Sequence, residues 1–191
     1  MLRAALFARL AHGRAQRRYL PEDFFQHPAR VAAAAEAHGL SEVAQIAGWL
    51  HDVVEDTHVT LADVRLQFPE ATPLVRALTK WWPDEARGPD VEQWKLVWVE
   101  RMLAEPEAPD LKVLDRTDNL KDLTRALRRG DLRRADREGL RRWATRYAAK
   151  TPREMAPLLS VVRASVRVVY EDAHRALVRE LERVTSGEGL T

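Results

Sequence analysis

Apolar residues recur three and four positions apart along almost the whole chain, and that spacing predicts helices. Leu2, Leu6 and Leu10 mark a first helix with a leucine face toward the core, before a turn around Pro21. His27 opens a second helix, with Pro28 at the first helical position, where a missing N–H costs little, and Gly39 just past its end. Ser41 caps a third, whose inner face is Val43, Ile46, Ala47 and Leu50. Thr60 and Asp63 have capping-box spacing ahead of Leu61, Val64 and Leu66, and Pro69 stops that helix. Leu74, Val75 and Leu78 define another, and 83–90 reads as a loop. A helix over 91–103 carries Trp94, Val97 and Trp98; one over 111–127 turns Leu111, Leu114, Leu120 and Leu123 inward. Beyond the break at Gly130, two helices are expected over 134–150 and 153–184, the last with an apolar face of Leu158, Val161, Val162, Val168, Val169 and Leu177. No strand-like alternation, repeat or low-complexity linker interrupts the pattern. The expected architecture is one all-α domain over residues 1–185, with a frayed tail over 186–191.

Composition narrows the function classes. Hydrophobic residues make up 46% of the 191 and charged residues 31%, which suits a packed core rather than extended disorder. Thirty-one Lys and Arg against 29 Asp and Glu leave a net charge of +2, which argues against a nucleic-acid binder. The absence of cysteine excludes thiol nucleophiles, disulfides, iron–sulfur clusters and Cys-containing zinc sites. No apolar run approaches the ~20 residues of a membrane span. The Arg- and Leu-rich start is too interrupted by Arg3, Arg9 and Arg14 for a secretory signal, and it reads as the first amphipathic helix. A cytoplasmic location is expected.

The densest reactive cluster is His51-Asp52-Val53-Val54-Glu55-Asp56, directly after the apolar turn that ends at Leu50. If the helix continues, His51 stands over Glu55, and Asp52 over Glu55 and Asp56. Three carboxylates within five residues repel one another, and a helix C-terminus disfavours them further. Solvent or a cation relieves that strain. An adjacent His and Asp are too few to hold a divalent ion, so further ligands must come from elsewhere. His27 and Asp115 are candidates; Asp115 sits in the apolar frame Leu111-Lys112-Val113-Leu114-Asp115. A buried carboxylate needs a cationic partner, and an arginine serves as well as a metal.

These residues, in this order, resemble the HD-domain metal phosphohydrolases, and more narrowly the hydrolase domain of RelA/SpoT proteins and the stand-alone small alarmone hydrolases. Gln16-Arg17-Arg18 leads to His27-Pro28; the HDxxEDT motif is complete over 51–57; Val59-Thr60-Leu61 and Leu74-Val75-Arg76-Ala77-Leu78-Thr79-Lys80 follow. The family's K-L-A-D-R-x-x-N is Lys112-Val113-Leu114-Asp115-Arg116-Thr117-Asp118-Asn119. The similarity covers roughly residues 10–160. It implies a helical HD bundle with one divalent metal, Mn²⁺ in alarmone hydrolases, held between helices by His27, His51, Asp52 and Asp115. It implies Glu55 and Asp56 as the catalytic acidic pair. Arg18 corresponds to the arginine that packs on guanine, Asn119 to a nucleotide contact and Tyr147 to a later pocket tyrosine. The implied reaction is hydrolysis of the 3′-pyrophosphate of ppGpp or pppGpp by a metal-activated water. Departures at Ala15, Tyr19, Asp23-Phe24 and Phe68-Pro69 cluster where base and phosphates are expected, and they leave the metal motifs intact.

Two other readings stay open at this point. One is an HD-type nucleotide phosphomonoesterase, a deoxynucleotidase or an NADPH 2′-phosphatase, which would release orthophosphate. The other is a non-catalytic HD scaffold that docks on nucleic acid or a protein through the Arg-rich segment 125–146. A homo-oligomer is compatible with either. His12, His38, His58 and His174 are expected at the surface or the edge of the core. The six tryptophans read as packing residues, with Trp81-Trp82 placed to line a pocket or a dimer contact.

Overall fold

The computed structural model describes residues 1–80 and 89–186, and the side chains of 89 and 90 are not among those described. Trp81-Trp82, most of the expected 83–90 loop and the tail 187–191 lie outside the described residues. Ten helices are present among them: α1 (Leu2–His12), α2 (Gln26–Ala37), α3 (Glu42–Leu50), α4 (Val53–Asp56), α5 (Leu61–Gln67), α6 (Thr72–Leu78), α7 (Pro89–Ala104), α8 (Ala108–Leu127), α9 (Arg134–Leu159) and α10 (Ala164–Thr185). No strand occurs among the described residues, only one isolated bridge, Gln16 to Asp23. The all-α expectation holds. α8 is the central element. It packs against α2, α3, α6, α7, α9 and α10, and nearly all of its residues are buried.

Local signals placed several boundaries well. Gly39 adopts φ 70°, and the amides of Gly39 and Leu40 close α2 onto the carbonyls of Glu36 and Ala35, as a Schellman end requires. The Ser41 hydroxyl caps α3 through the Ala44 amide, and Thr60 and Asp63 form a reciprocal capping box on α5.

Three expectations are corrected. First, α1 is turned the other way: Leu2, Leu6 and Leu10 are exposed (75%, 54% and 81%), while Ala4, Ala8 and His12 face inward. Two positions along a helix is about 200°, so the leucines lie opposite the buried face. Small alanines let α1 lie close on α3 and α4, a contact that leucines would hold apart. Second, α9 runs to Leu159 through Pro152 and Pro157 rather than ending near 150. Pro152 removes the amide that would bond to the Ala148 carbonyl. His174 of α10 replaces it, donating from Nε2 to that carbonyl at 2.9 Å. The true break, 160–163, is set by Arg163, which bonds Asp110 at the start of α8 through its amide and Nη1 (both 2.9 Å). Third, Val97, Val161 and Val168 are exposed, and the inner face of α10 is Val166, Tyr170, Ala173 and Leu177.

Gly48 fixes how closely α2 and α3 approach. A Cβ there would stand 3.0 Å from Ala32 Cα and 3.2 Å from Ala32 N, backbone atoms that cannot yield without moving α2. Those two helices carry His27 and His51. Gly48→Val is therefore expected to destabilise by about 1–3 kcal/mol or more, despite the poor helix propensity of glycine. Chemical denaturation would show a lower midpoint; a midpoint at or above that of the parent would refute the close-approach argument.

Candidate metal centre

α3 ends at Leu50, His51 and Asp52 form a turn, and α4 is a single turn that begins at Val53. Both turn residues keep right-handed helical dihedrals (φ −59°, ψ −32° and φ −98°, ψ −9°), and the Asp56 amide bonds the Asp52 carbonyl at 2.9 Å. Thr57 ends α4, its Oγ1 donating to the Val53 carbonyl at 2.6 Å and accepting from the Val59 amide at 3.0 Å.

Three separate helical stretches meet here. His27 comes from the first turn of α2, His51 and Asp52 from the α3–α4 turn, and Asp115 from the middle of α8. The two Nε2 atoms are 3.3 Å apart. Asp52 Oδ2 lies 3.4 Å from His27 Nε2 and 3.2 Å from His51 Nε2; Asp115 Oδ1 lies 3.1 and 3.7 Å from the same atoms. His27, His51 and Asp52 offer ligand atoms mutually within 4.8 Å, and Asp115 approaches the histidine pair alongside them. Each imidazole uses its other nitrogen elsewhere. His51 Nδ1 donates to the Gly48 carbonyl at 2.9 Å, and His27 Nδ1 to Asp118 Oδ2 at 2.7 Å. Both rings therefore present Nε2 to the common point. Two imidazoles and two carboxylates, with no thiolate, suit a divalent ion of intermediate hardness. The residues fit a metal.

Electrostatics agree with that geometry. Burial alone would push both histidines toward neutrality, but the charge of Asp52 and hydrogen bonds to Asp115 and Asp52 outweigh it at His51, raising its pKa to about 9. His27 is likewise raised well above its ordinary value against the effect of burial, by hydrogen bonds to Asp115, Asp118 and Asp52. Asp52 and Asp115 are held well below the usual carboxylate range: burial opposes ionisation, and the histidine charges (with that of Lys112 for Asp115) prevail. Without a metal, protons supply the positive charge that four converging groups need.

Asp115 also has the cation that its apolar frame demanded. Lys112 Nζ donates to Oδ2 at 2.6 Å, one turn earlier on α8, while Asn119 Nδ2 donates to Oδ1 at 2.7 Å. The sequence assigned no role to Lys112 or Asp118. Each carries a charge one helical turn from Asp115 on the buried helix α8.

Glu55 and Asp56 lie on α4 beside the centre. Glu55 Oε1 accepts from the Lys80 amide at 2.9 Å, tying α4 to the segment after α6. Burial and the charges of Asp52 and Glu55 raise Asp56 to about 6.

The substrate candidates divide. A cavity of about 190 Å³ opens beside the centre between the 13–25 loop, α8 and α9, and its lining includes Arg17, Arg18, Tyr19, Phe24, Asn119 and Trp143. Arg18 lies over the rings of Tyr19 (5.2 Å) and Trp143 (5.9 Å). Asn119 Oδ1 accepts from Arg17 at 2.8 Å, so this one side chain joins the cavity wall to Asp115. Tyr147 does not line that cavity; its ring lies under the Arg116 guanidinium at 4.7 Å. His12 is buried rather than at the surface, packed on Phe24 with ring centroids 4.7 Å apart. In the Arg-rich segment, Arg125, Arg128, Arg129, Arg133 and Arg134 pair with acids of this same chain. No helix among the described residues is long and apolar enough to cross a membrane.

A helical bundle with a His, His-Asp and Asp set converging between helices defines a class of metal-site fold, and comparison with known proteins gives its name. The HD-domain family matches residues 4–149, and the chain belongs to it. Human guanosine-3′,5′-bis(diphosphate) 3′-pyrophosphohydrolase MESH1 is 35% identical over 134 residues, 68% of this chain and 73% of that one. The guanosine-3′,5′-bis(diphosphate) 3′-pyrophosphohydrolase of Aquifex aeolicus is 34% identical over 125 residues, 63% of this chain but 17% of that much longer one. A solved structure of a metazoan ortholog of SpoT that hydrolyzes ppGpp superposes with a TM-score of 0.62 at 25% identity, covering 91% of this chain and 93% of that one.

The carboxylates around His51 raise its pKa to about 9, so a cation that binds there would displace protons. Neutral imidazole is the ligand form, so raising the pH favours binding. Affinity for Mn²⁺ is expected to strengthen steadily from pH 6 to pH 9, by up to about tenfold per unit for each proton released. Calorimetry in buffers of different ionisation enthalpy would count those protons; a pH-independent affinity with no proton release would contradict the assignment.

Proposed function

We propose that this chain is a metal-dependent hydrolase that removes the 3′-pyrophosphate of ppGpp and pppGpp, releasing pyrophosphate with GDP or GTP. The observation that carries the reading is the meeting of His27, His51, Asp52 and Asp115 at one point beside a cavity lined by Arg17 and Arg18. Its support from relatives is the activity for which the MESH1 and Aquifex proteins are named, together with the matching fold.

His27, His51, Asp52 and Asp115 would hold the ion, for which we assign Mn²⁺ on the resemblance to alarmone hydrolases; imidazole and carboxylate donors are compatible with it, as they are with Fe²⁺, Co²⁺ or Zn²⁺. When bound, such an ion lowers the pKa of a water and offsets phosphate charge. The remaining chemistry belongs to the chain. Glu55 and Asp56 stand on α4 next to these residues, and Asp56, raised to about 6, can both accept and return a proton at neutral pH. We assign them to proton transfer between the water and the leaving oxygen. Arg18, a planar cation already lying over aromatic rings, is placed to pack on the guanine base. Asn119 ties the nucleotide cavity to Asp115, so substrate contact and ligand geometry share one side chain. Tyr147 has its phenol kept protonated by burial and supports Arg116 from below; its assignment to the nucleotide pocket rests on the resemblance alone. This reading also places the enzyme in the cytoplasm, where its nucleotide substrate is made and used.

With ppGpp and Mn²⁺, GDP and pyrophosphate are expected to form in equal amounts. Orthophosphate release from a nucleotide panel would instead favour the phosphomonoesterase. Asp52→Ala should lose both bound metal and turnover. Glu55→Ala should keep the metal and lose turnover by ~10²-fold or more, the scale of general acid–base assistance. Equal metal loss in both variants, measured by metal analysis after gel filtration, would reverse the two roles.

A further inference from the structure

His27 is held on both of its nitrogens by one helix. Asp115 Oδ1 faces Nε2 at 3.1 Å, and Asp118 Oδ2, one turn along α8, accepts from Nδ1 at 2.7 Å. Asp118 is 7% exposed, and a carboxylate that deep requires a counter-charge. Arg30, one turn after His27 on α2, provides it with a two-pronged grip: Nε to Oδ1 at 2.7 Å and Nη2 to Oδ2 at 3.1 Å. Arg30 is anchored in turn, through Nη1 to Glu22 at 2.9 Å and Nη2 to Asp122 at 2.9 Å. The other histidine is treated differently. His51 donates to a neutral carbonyl, that of Gly48, on its own helix. Asp118 falls at a position left open in the K-L-A-D-R-x-x-N pattern, so its place here belongs to this chain's own residues.

We infer that Asp118 is a positioning residue for the metal centre: it fixes the His27 ring with Nε2 toward the ion, and Arg30 holds Asp118 in that role. The chemistry is direct. An ionised carboxylate only accepts hydrogen bonds, so Nδ1 must carry the proton and Nε2 is left as the donor atom to a cation. A charged acceptor at Nδ1 also makes Nε2 a stronger ligand than a carbonyl would. The geometry favours this over a mere brace between α2 and α8. A brace needs only the Arg30–Asp118 pair, whereas here Oδ2 is shared between the guanidinium and the imidazole.

This inference rests on His27 being a ligand, as proposed above, and one set of measurements separates the two. The full chain is titrated with Mn²⁺ at fixed pH, free Mn²⁺ being read by electron paramagnetic resonance, and each variant's thermal unfolding is recorded in parallel. His27→Ala should lose binding; if it keeps parental affinity, the ligand reading itself fails. Asp118→Asn should fold and bind Mn²⁺ ~10- to 100-fold more weakly, the usual effect of removing such an outer partner. The Mn²⁺ concentration for half-maximal turnover should rise with it, by more than the nucleotide KM measured at saturating Mn²⁺. Arg30→Gln, which leaves Asp118 in place, should weaken Mn²⁺ several-fold, and Arg30→Lys should restore part of that loss. A folded Asp118→Asn protein with parental Mn²⁺ affinity, while His27→Ala has lost it, overturns the positioning role alone. Should Asp118→Asn not fold, Arg30→Gln decides: parental affinity in that variant refutes the inference, and weakened affinity that Arg30→Lys partly restores supports it.

Discussion

Four groups that cost free energy to bury face one another in the middle of this helical bundle: two imidazoles and two carboxylates, contributed by α2, the α3–α4 turn and α8. Buried charge is tolerated only where positive and negative groups meet with good geometry. Here the balance comes from protons on the histidines, or from a divalent cation that replaces them. The close packing of α2 on α3 across Gly48, the turn at His51-Asp52 and the burial of α8 bring these groups together.

Around the centre, His27, His51 and Asp115 are each fixed by a further hydrogen bond pointing away from it. His51 is tied to Gly48, His27 to Asp118, and Asp115 to Lys112 and Asn119. Asp122 connects several of these lines, since it accepts from Arg17, Arg30 and Arg125. The 13–25 loop is thereby bound to the same helix that carries Asp115. Arg17 reaches from that loop to Asn119 and Asp122, and Glu22 reaches Arg30. The cavity and the cluster of buried ionisable groups thus share a wall of α8.

The helices themselves were largely legible from residue order. Gly39, Ser41 and the Thr60–Asp63 box act within four or five residues, so they mean the same thing in an isolated peptide as in the folded chain. The motif residues His27, His51, Asp52 and Asp115 were legible for another reason: His51-Asp52 stands out in the sequence, and the resemblance to a known family joins His27 and Asp115 to it. What residue order could not rank was direction. Leu2, Leu6 and Leu10 were the more hydrophobic face of α1, yet Ala4 and Ala8 went inside, because close approach to α3 was worth more there than side-chain volume.

Local rules determined that this chain is helical and where most helices start, and the resemblance to a known family singled out four side chains as expected metal ligands. Tertiary structure decided the rest. It carried α9 through Pro152, because His174 from a different helix supplied the donor that proline lacks. It turned Asp118 from a helical acid with no assigned role into the partner of His27, and Arg30 into its counter-charge, across 91 and 88 residues of chain. A hydrogen bond between distant segments has no periodicity to betray it. Its energy depends on a distance that exists only once the helices have packed.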